Sequence, residues 1–460
     1  MSRALLCFLV LFTGCMVGPD YRRPCVEVPE VYRFDEKGSE SAMDTLFWEQ
    51  FDDPVLTNYV REALTNNRDI KIAAARIEGA LGILMQTQSS LFPQLGYQAA
   101  GARTLASNAT GIPLSPTTPN PLPSFQALTN VSWELDLWGR LSRLTQSSEA
   151  DYYAAEEAWQ DVVLSLVSLV TNTYLQLLGL DEQLAISKRT LVSYGEMVDY
   201  FDKQFRYGQV SRINVVQATT QYEKAAAAIP EIELSIVRAE NVLSLLLARN
   251  PGPIERGKTI YAIESPIVPA GLPSDLLCAR PDIRQAEMQL ISANALVGAA
   301  EALYFPSISL TGDYGYSSKE LKQLFTGPAK TWIYGTNITG PLYTFGNIEG
   351  QVTQAKAEKR AAILNYQQTV QNAFKDVDDS LASHEYYMQR LEAQGKLVKA
   401  SREYEYLAML QYQEGYSPYF VVLQAQEQLF PAELAWVQTR VQVFTSVVNV
   451  YKAMGGGFRP

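Results

Sequence analysis

Residues 69–93, DIKIAAARIEGALGILMQTQSSLFP, and residues 282–306, DIRQAEMQLISANALVGAAEALYFP, are two versions of one segment. Each opens on Asp-Ile and closes on Phe-Pro. In the first, Ile70, Ala73, Ala74, Ile77, Leu81 and Leu84 recur at three- and four-residue spacing, which predicts a helix. The copies are offset by 213 residues without a gap. Two strand-like runs follow each, then an aromatic-Gly pair, Trp138-Gly139 and Phe345-Gly346, now offset by 207, so the first hairpin is six residues longer. The offset of 207 holds onward for Gly208 and Gly415 and for Gln217-Ala218 and Gln424-Ala425. A unit this long exceeds any solenoid repeat and predicts one large structural half, duplicated.

The strand-like runs alternate. Val131, Trp133, Leu135 and Leu137 interleave with Ser132, Glu134 and Asp136; Ile308, Leu310, Gly312, Tyr314 and Tyr316 interleave with Ser309, Thr311, Asp313 and Gly315. Period-two runs of about 10 residues suit a membrane barrel strand, apolar outside and polar inside. A half-buried strand of a soluble sandwich reads the same, but Tyr97, Phe125, Trp133, Tyr316, Trp332 and Tyr334 suggest interfacial girdles. The Pro-, Ser-, Thr- and Asn-rich connection 106–124 predicts an exposed loop.

The helices supply the length. Leu56 to Leu91 reads as helix. Arg140 to Tyr207 contains no proline and one apparent interruption, Gly179; at 1.5 Å per residue it makes about 100 Å of helix. Asn347 to Glu414 matches it. Gly208 and Gly415 predict sharp reversals. The first return helix, Ser211 to Asn250, stops at Pro251-Gly252-Pro253, and Pro230 and Pro431 predict bends.

Net charge is −11, with no basic stripe, which excludes nucleic acid as a partner. Residues 1–14 read as a secretory signal: Arg3, an apolar run, then Thr13-Gly14 ahead of Cys15. The small residues before Cys15 resemble a bacterial lipobox, although Phe12 stands where Leu is usual, and Met16 suits outer-membrane sorting. Cys7 leaves with the signal and Cys15 would carry lipid, leaving Cys25 and Cys278 as expected free thiols with no assigned role. No later stretch reaches about 18 consecutive apolar residues, which predicts no transmembrane helix but leaves a barrel open.

Several blocks are similar to one family. Val17-Gly18-Pro19-Asp20-Tyr21-Arg22-Arg23-Pro24 after Cys15, Trp48-Glu49-Gln50-Phe51-Asp52-Asp53-Pro54-Val55-Leu56, Asn66-Asn67-Arg68-Asp69-Ile70, Ala279-Arg280-Pro281-Asp282-Ile283-Arg284-Gln285-Ala286-Glu287 and Gly455-Gly456-Gly457-Phe458 resemble the TolC-like outer-membrane efflux channels, in the acylated OprM/NodT-type branch associated with resistance-nodulation-division pumps. The resemblance covers Cys15 to Pro460. It implies a membrane α+β fold: a homotrimer sharing a twelve-stranded outer-membrane β-barrel, four strands per protomer, continued by a periplasmic α-helical barrel. The expected organisation is a signal (1–14), an acylated N-terminus and extended arm (15–55), and a first half (56–250) with a hairpin at about 94–137 and a tip at 208. A connecting equatorial segment (251–281) then leads to a second half (282–460), with a hairpin at about 306–342 and a tip at 415.

The implied function is passage from a periplasmic adaptor and inner-membrane pump to the exterior, with no cofactor or metal. The tip turns, Gly208, Gln209, Val210 and Ser211 with Gly415, Ser417 and Pro418, would meet the adaptor. The resemblance makes Tyr412 a gate residue, but its acidic gate positions are Gln424 and Val421 here, with Gln217 the counterpart of Gln424. An apolar and amide constriction closed partly by dewetting is the alternative. Tyr416 and Tyr419 are further candidates; all three tyrosines could equally pack between helices. A type I secretion duct for polypeptides would share the fold. Against an enzyme, there is no phosphate loop, nucleophile motif or zinc spacing, and the single histidine, His384, is expected on a helix surface.

Overall fold

The computed structural model describes residues 16–26, 28, 46–107, 120–264, 266, 268 and 273–456; the signal, Cys15, Gly457 and Phe458 lie outside them. The chain order is a 3-10 turn (Phe47–Phe51), α1 (Pro54–Asn66), α2 (Arg68–Ser89), β1 (Gln94–Thr104), β2 (Leu122–Leu135), α3 (Arg140–Arg206), α4 (Arg212–Leu246), α5 (Pro273–Ala279), α6 (Pro281–Ala302), β3 (Ser307–Ser318), β4 (Lys330–Thr339), α7 (Asn347–Gln413) and α8 (Tyr419–Ala453). Helices α2 and α6 are 22 residues each, α3 and α7 67, and α4 and α8 35. The described residues form two compact units: those within Met1–Cys25, Arg76–Glu156 and Gln285–Tyr366 make one, and those within Val26–Ala75, Glu157–Arg284 and Gln367–Pro460 the other.

The first unit contains one antiparallel sheet in the order β1-β2-β3-β4. Its register sorts the side chains. Tyr97 lies opposite Thr129, Thr129 opposite Tyr314, and Tyr314 opposite Trp332, so these share a face. By the same ladders that face carries Leu95, Phe125, Val131, Trp133, Leu310, Tyr316, Tyr334 and Ile338. The opposite face carries Gln94, Gln98, Gln126, Asn130, Ser132, Ser309, Thr311, Asp313 and Asn337, with Ala100, Ala102, Leu122, Leu128 and Ile333 as apolar exceptions. The apolar face is bare: Tyr97 is 89% and Tyr334 79% exposed. Strand β2 stops at Leu135, short of the alternation that reaches Leu137. The Asp136 carboxylate instead accepts from the N–H groups of Leu141 (2.9 Å) and Ser142 (2.7 Å), capping α3. Arg140 Nη2 donates to both carboxylate oxygens of Glu134 at that junction.

The arm after residue 15 is clamped onto the same unit. Val17 N–H donates to the Trp138 carbonyl (3.1 Å). Arg143, 2% exposed, donates to the carbonyls of Val17 and Gly18 and to Asp20 Oδ1 (3.0 Å), and Asn294 donates to the Pro19 carbonyl (2.9 Å). Tyr21 and Arg23 both donate to Glu287.

The second unit is built around Phe47, Phe51, Tyr174, Leu243, Val447 and Tyr451. Phe47 stacks on Tyr451 at 5.1 Å. Asp53 is buried and fully used: it caps α1 through Val55 N–H and accepts from Tyr174 Oη (2.8 Å) and Lys258 N–H (3.0 Å). The expected single helix 56–91 is two helices. Asn67 breaks it by accepting from Asp69 N–H (2.7 Å) and donating to the Leu246 carbonyl (2.9 Å). Helix α4 ends at Leu246, ahead of Pro251, because Ala248 takes a left-handed conformation (φ 59°) and Arg249 N–H closes on the Ser244 carbonyl. Pro230 and Pro431 sit inside unbroken α4 and α8. His384 is half-buried and bonds Ser446 at 3.1 Å through Nδ1, rather than lying at the surface. Asp376 pairs with Arg280 and Asp379 with Lys375. Helix α3 holds an 18-residue stretch apolar enough to cross a bilayer, but most of it is buried in the protein's own packing.

Gly179 does not interrupt α3. A Cβ there would lie 2.3 Å from Val441 Cγ2, so the glycine is a point of close approach between α3 and α8. Gly179→Ala is expected to lower stability by about 1–3 kcal/mol through overpacking. Adding Val441→Ala should restore part of that loss. Denaturant melts of the four members of this cycle check it; strictly additive effects would contradict direct contact.

Candidate functional site

Both tips belong to the second unit and share one turn. At the first, Gly208 has φ 72°, Gln209 N–H donates to the Gln204 carbonyl and Gly208 N–H to the Phe205 carbonyl, both at 2.9 Å. At the second, Gly415 has φ 80°, Tyr416 N–H donates to the Gln411 carbonyl (2.8 Å) and Gly415 N–H to the Tyr412 carbonyl (3.1 Å). These are paired Schellman closures, in which glycine takes the left-handed turn without the Cβ strain that Ala248 bears at the end of α4. The returns then differ. Ser211 caps α4 by accepting from Ile213 N–H, whereas Pro418 precedes α8 without a side-chain cap. Gln209 and Ser211 are exposed, and Val210 and Ser417 half-buried.

Just inside the tips lies an apolar cluster of Phe201, Ala218, Ala408, Tyr419, Val422 and Leu423. Phe201 meets Tyr419 at 4.3 Å and Tyr412 at 5.8 Å between ring centroids, and the two tyrosines stand 5.5 Å apart. Of the sequence candidates, Tyr419 is thus buried in the protomer and Tyr412 half-buried against it, while Val421 lines the cluster's edge. Tyr416 is 84% exposed and touches none of the cluster's rings. Gln424 is exposed and Gln217 half-buried. Burial pushes the hydroxyls of Tyr419 and Tyr412 up, so both stay neutral. An amide-and-phenol surface without formal charge is what these candidates offer.

Phe201 is the residue that sequence reasoning missed. Its signal was available: the 207 offset places Phe201 opposite Ala408, a large residue against a small one in the same cluster. Around this core, Lys224 and Gln221 converge on Glu427 Oε1 at 2.8 and 3.1 Å, tying α4 to α8. Beside the first tip an open groove of about 730 Å³ is lined by Phe205, Arg212, Val215 and Val216 among others. Among the described residues no group of three or more His, Cys, Asp or Glu is placed to hold a metal. Cys25 and Cys278 are exposed thiols.

Burial pushes the Glu405 carboxyl up and Glu433 adds to this, opposed by the Gln426 hydrogen bond and Arg402. A raised carboxylate penalises folding above its folded pKa, and the penalty fades as pH falls through that value toward the unfolded one. Thermal stability is therefore expected to rise from neutral to mildly acidic pH through this group. Glu405→Gln should raise Tm at pH 7 and flatten that dependence, as melts across pH 4–8 would show; an unchanged profile would contradict the sign.

Residues 59–249 and 272–456 match the outer membrane efflux protein family. The solvent efflux pump outer membrane protein SrpC of Pseudomonas putida is 33% identical, covering 98% of this chain and 97% of its own. The cation efflux system protein CusC of Escherichia coli O6:H1 is 32% identical, with 98% of each chain covered. The solved CmeC outer membrane channel of Campylobacter jejuni superimposes with a TM-score of 0.89 at 27% identity, covering 96% of this chain and 95% of that one.

Proposed function

Because the chain belongs to the outer membrane efflux protein family, we propose that it is the homotrimeric exit duct of a tripartite pump, passively conducting small molecules across the outer membrane. The observation that carries the assembly is the sheet. It has four strands, two unpaired edges among the described residues, one bare apolar face and one polar face. Lipid supplies no hydrogen bonds, so such a sheet spans a membrane only when its edges close on other strands. Three copies make a twelve-stranded barrel, within the range of outer-membrane barrels, with Gln98, Gln126, Asn130 and Asp313 toward the water. The equal lengths of α3 and α7, and of α4 and α8, support two duplicated halves contributing matched rods to a helical barrel in the periplasm.

In this reading Cys15 carries lipid, and the turns at 208–211 and 415–418 engage a periplasmic adaptor and inner-membrane pump. The gate is a neutral constriction. Gln424, Gln217 and Tyr416 present surface for it, and the Phe201–Tyr412–Tyr419 cluster holds the helices that carry them. SrpC and CusC are named for solvent and for cation efflux and match this chain almost equally. Solvents, drugs and metal ions therefore all remain within the proposed cargo.

Light scattering of the detergent-purified protein should give three chains per particle; a stable monomer would overturn the duct. In planar bilayers Tyr412→Ala, which loosens the tip packing, is expected to raise single-channel conductance about twofold or more. Unchanged conductance in an intact trimer would remove the tips from the gate.

A further inference from the structure

The end of the sheet away from its helices has the opposite charge to the chain as a whole. The full sequence holds 38 Lys and Arg against 49 Asp and Glu. At this end stand Arg103, Lys319, Lys322 and Lys330 with a single acid, Glu320, and no residue from Thr104 to Trp133 is charged. All four cations are exposed. Among the described residues, only Lys322 of the four forms an ion pair, with Glu320 at 3.1 Å.

Their height on the sheet matters as much as their sign. Arg103 pairs with Pro123 and Lys330 with Tyr316, which puts both on the apolar, aromatic face. Each lies nine residues from the helix-side end of its strand, Gln94 and Thr339 respectively. Nine strand residues rise about 30 Å, or about 23 Å along a bilayer normal at a 40° tilt. That is the outer margin of an apolar band about 25 Å tall. The β3–β4 connection reinforces this margin: exposed Phe325 packs edge-on against Tyr316 at 5.6 Å, and Lys330 Nζ lies 5.2 Å over the Tyr314 ring. The Lys330 ammonium thus sits on a ring two positions nearer the helix-side end than its ladder partner Tyr316, a cation held against aromatic surface at the edge of the band.

We propose that Arg103, Lys319, Lys322 and Lys330 form a rim that binds the phosphate groups of the outer leaflet's glycolipid. The inference rests on the outer-membrane reading above, which turns this end of the sheet outward. Ammonium and guanidinium groups at headgroup height meet phosphates there, and the guanidinium can take two oxygens of one phosphate.

The test uses delipidated trimer in mild detergent, with bisphosphorylated lipid A, enzymatically dephosphorylated lipid A or phosphatidylglycerol added. The expected result is a rise in Tm with bisphosphorylated lipid A alone, diminished by high salt. A variant carrying Arg103→Gln, Lys319→Gln, Lys322→Gln and Lys330→Gln should lose the shift while keeping trimer mass and conductance. Each single change is expected to weaken lipid retention about fivefold, read by native mass spectrometry. An equal shift with dephosphorylated lipid or with phosphatidylglycerol, or an undiminished shift in the variant, would overturn the rim. A chain that is not trimeric fails the duct itself, a result seen in the mass before any lipid is added.

Discussion

A strand in hydrocarbon has no water to satisfy its edge, and in the proposed duct that constraint governs the molecule. Four strands leave the N–H and C=O groups along the outer sides of β1 and β4 without partners in the sheet. In a soluble protein a helix could cover them, and the apolar face carrying Tyr97, Trp332 and Tyr334 would be packed against something. Here that face is bare in the protomer. Among the described residues, the backbone hydrogen bonding of the sheet is thus unfinished at both edges. The proposed trimer answers both demands with one operation, because closing the edges also turns the apolar face wholly toward lipid.

In the proposed duplication, two matched halves supply the material for this, and differences between them supply the tip. Both reversals keep the glycine and the two closing hydrogen bonds, since any other residue would strain a left-handed turn. The side chains around the turn have parted. Where the first half has Phe201 the second has Ala408, and where the first has Arg212 the second has Tyr419. Phe201, Ala408 and Tyr419 meet in one cluster, so the two halves interlock there, while Arg212 stays outside it on the open groove. Identical halves would put either two rings or two gaps at the same place.

The sequence made the architecture readable because period and length are properties of the chain itself. Alternation around Val131 and Tyr314 marked strands, and the 207 offset tied Gly208 to Gly415. What stayed hidden depends on contacts between distant residues. Gly179 looks like a break along the chain and is a contact across it, visible only with Val441 in place. Asn67 splits a helix because its amide finds the Leu246 carbonyl, 179 positions away. Asp136 continues an alternation on paper, yet its carboxylate is drawn to the start of α3. At the tip, composition identified tyrosines but not their roles, since burial separates Tyr419 from Tyr416 and burial is a tertiary property.

The clamp on the arm changes character along its length. Trp138, Arg143 and Asn294 engage the backbone of Val17, Gly18 and Pro19, so that stretch is held by its path, whereas Asp20, Tyr21 and Arg23 beyond it are held by their side chains. Positions 17 and 19 are consequently free to drift during evolution, while the burden of identity falls on the receiving surface. Gly18 is the exception, because a Cβ there would come within 2.3 Å of Gly298 Cα. Substitutions tolerated in the arm and refused at Arg143, Asn294 and Gly298 would be the signature of such a one-sided lock.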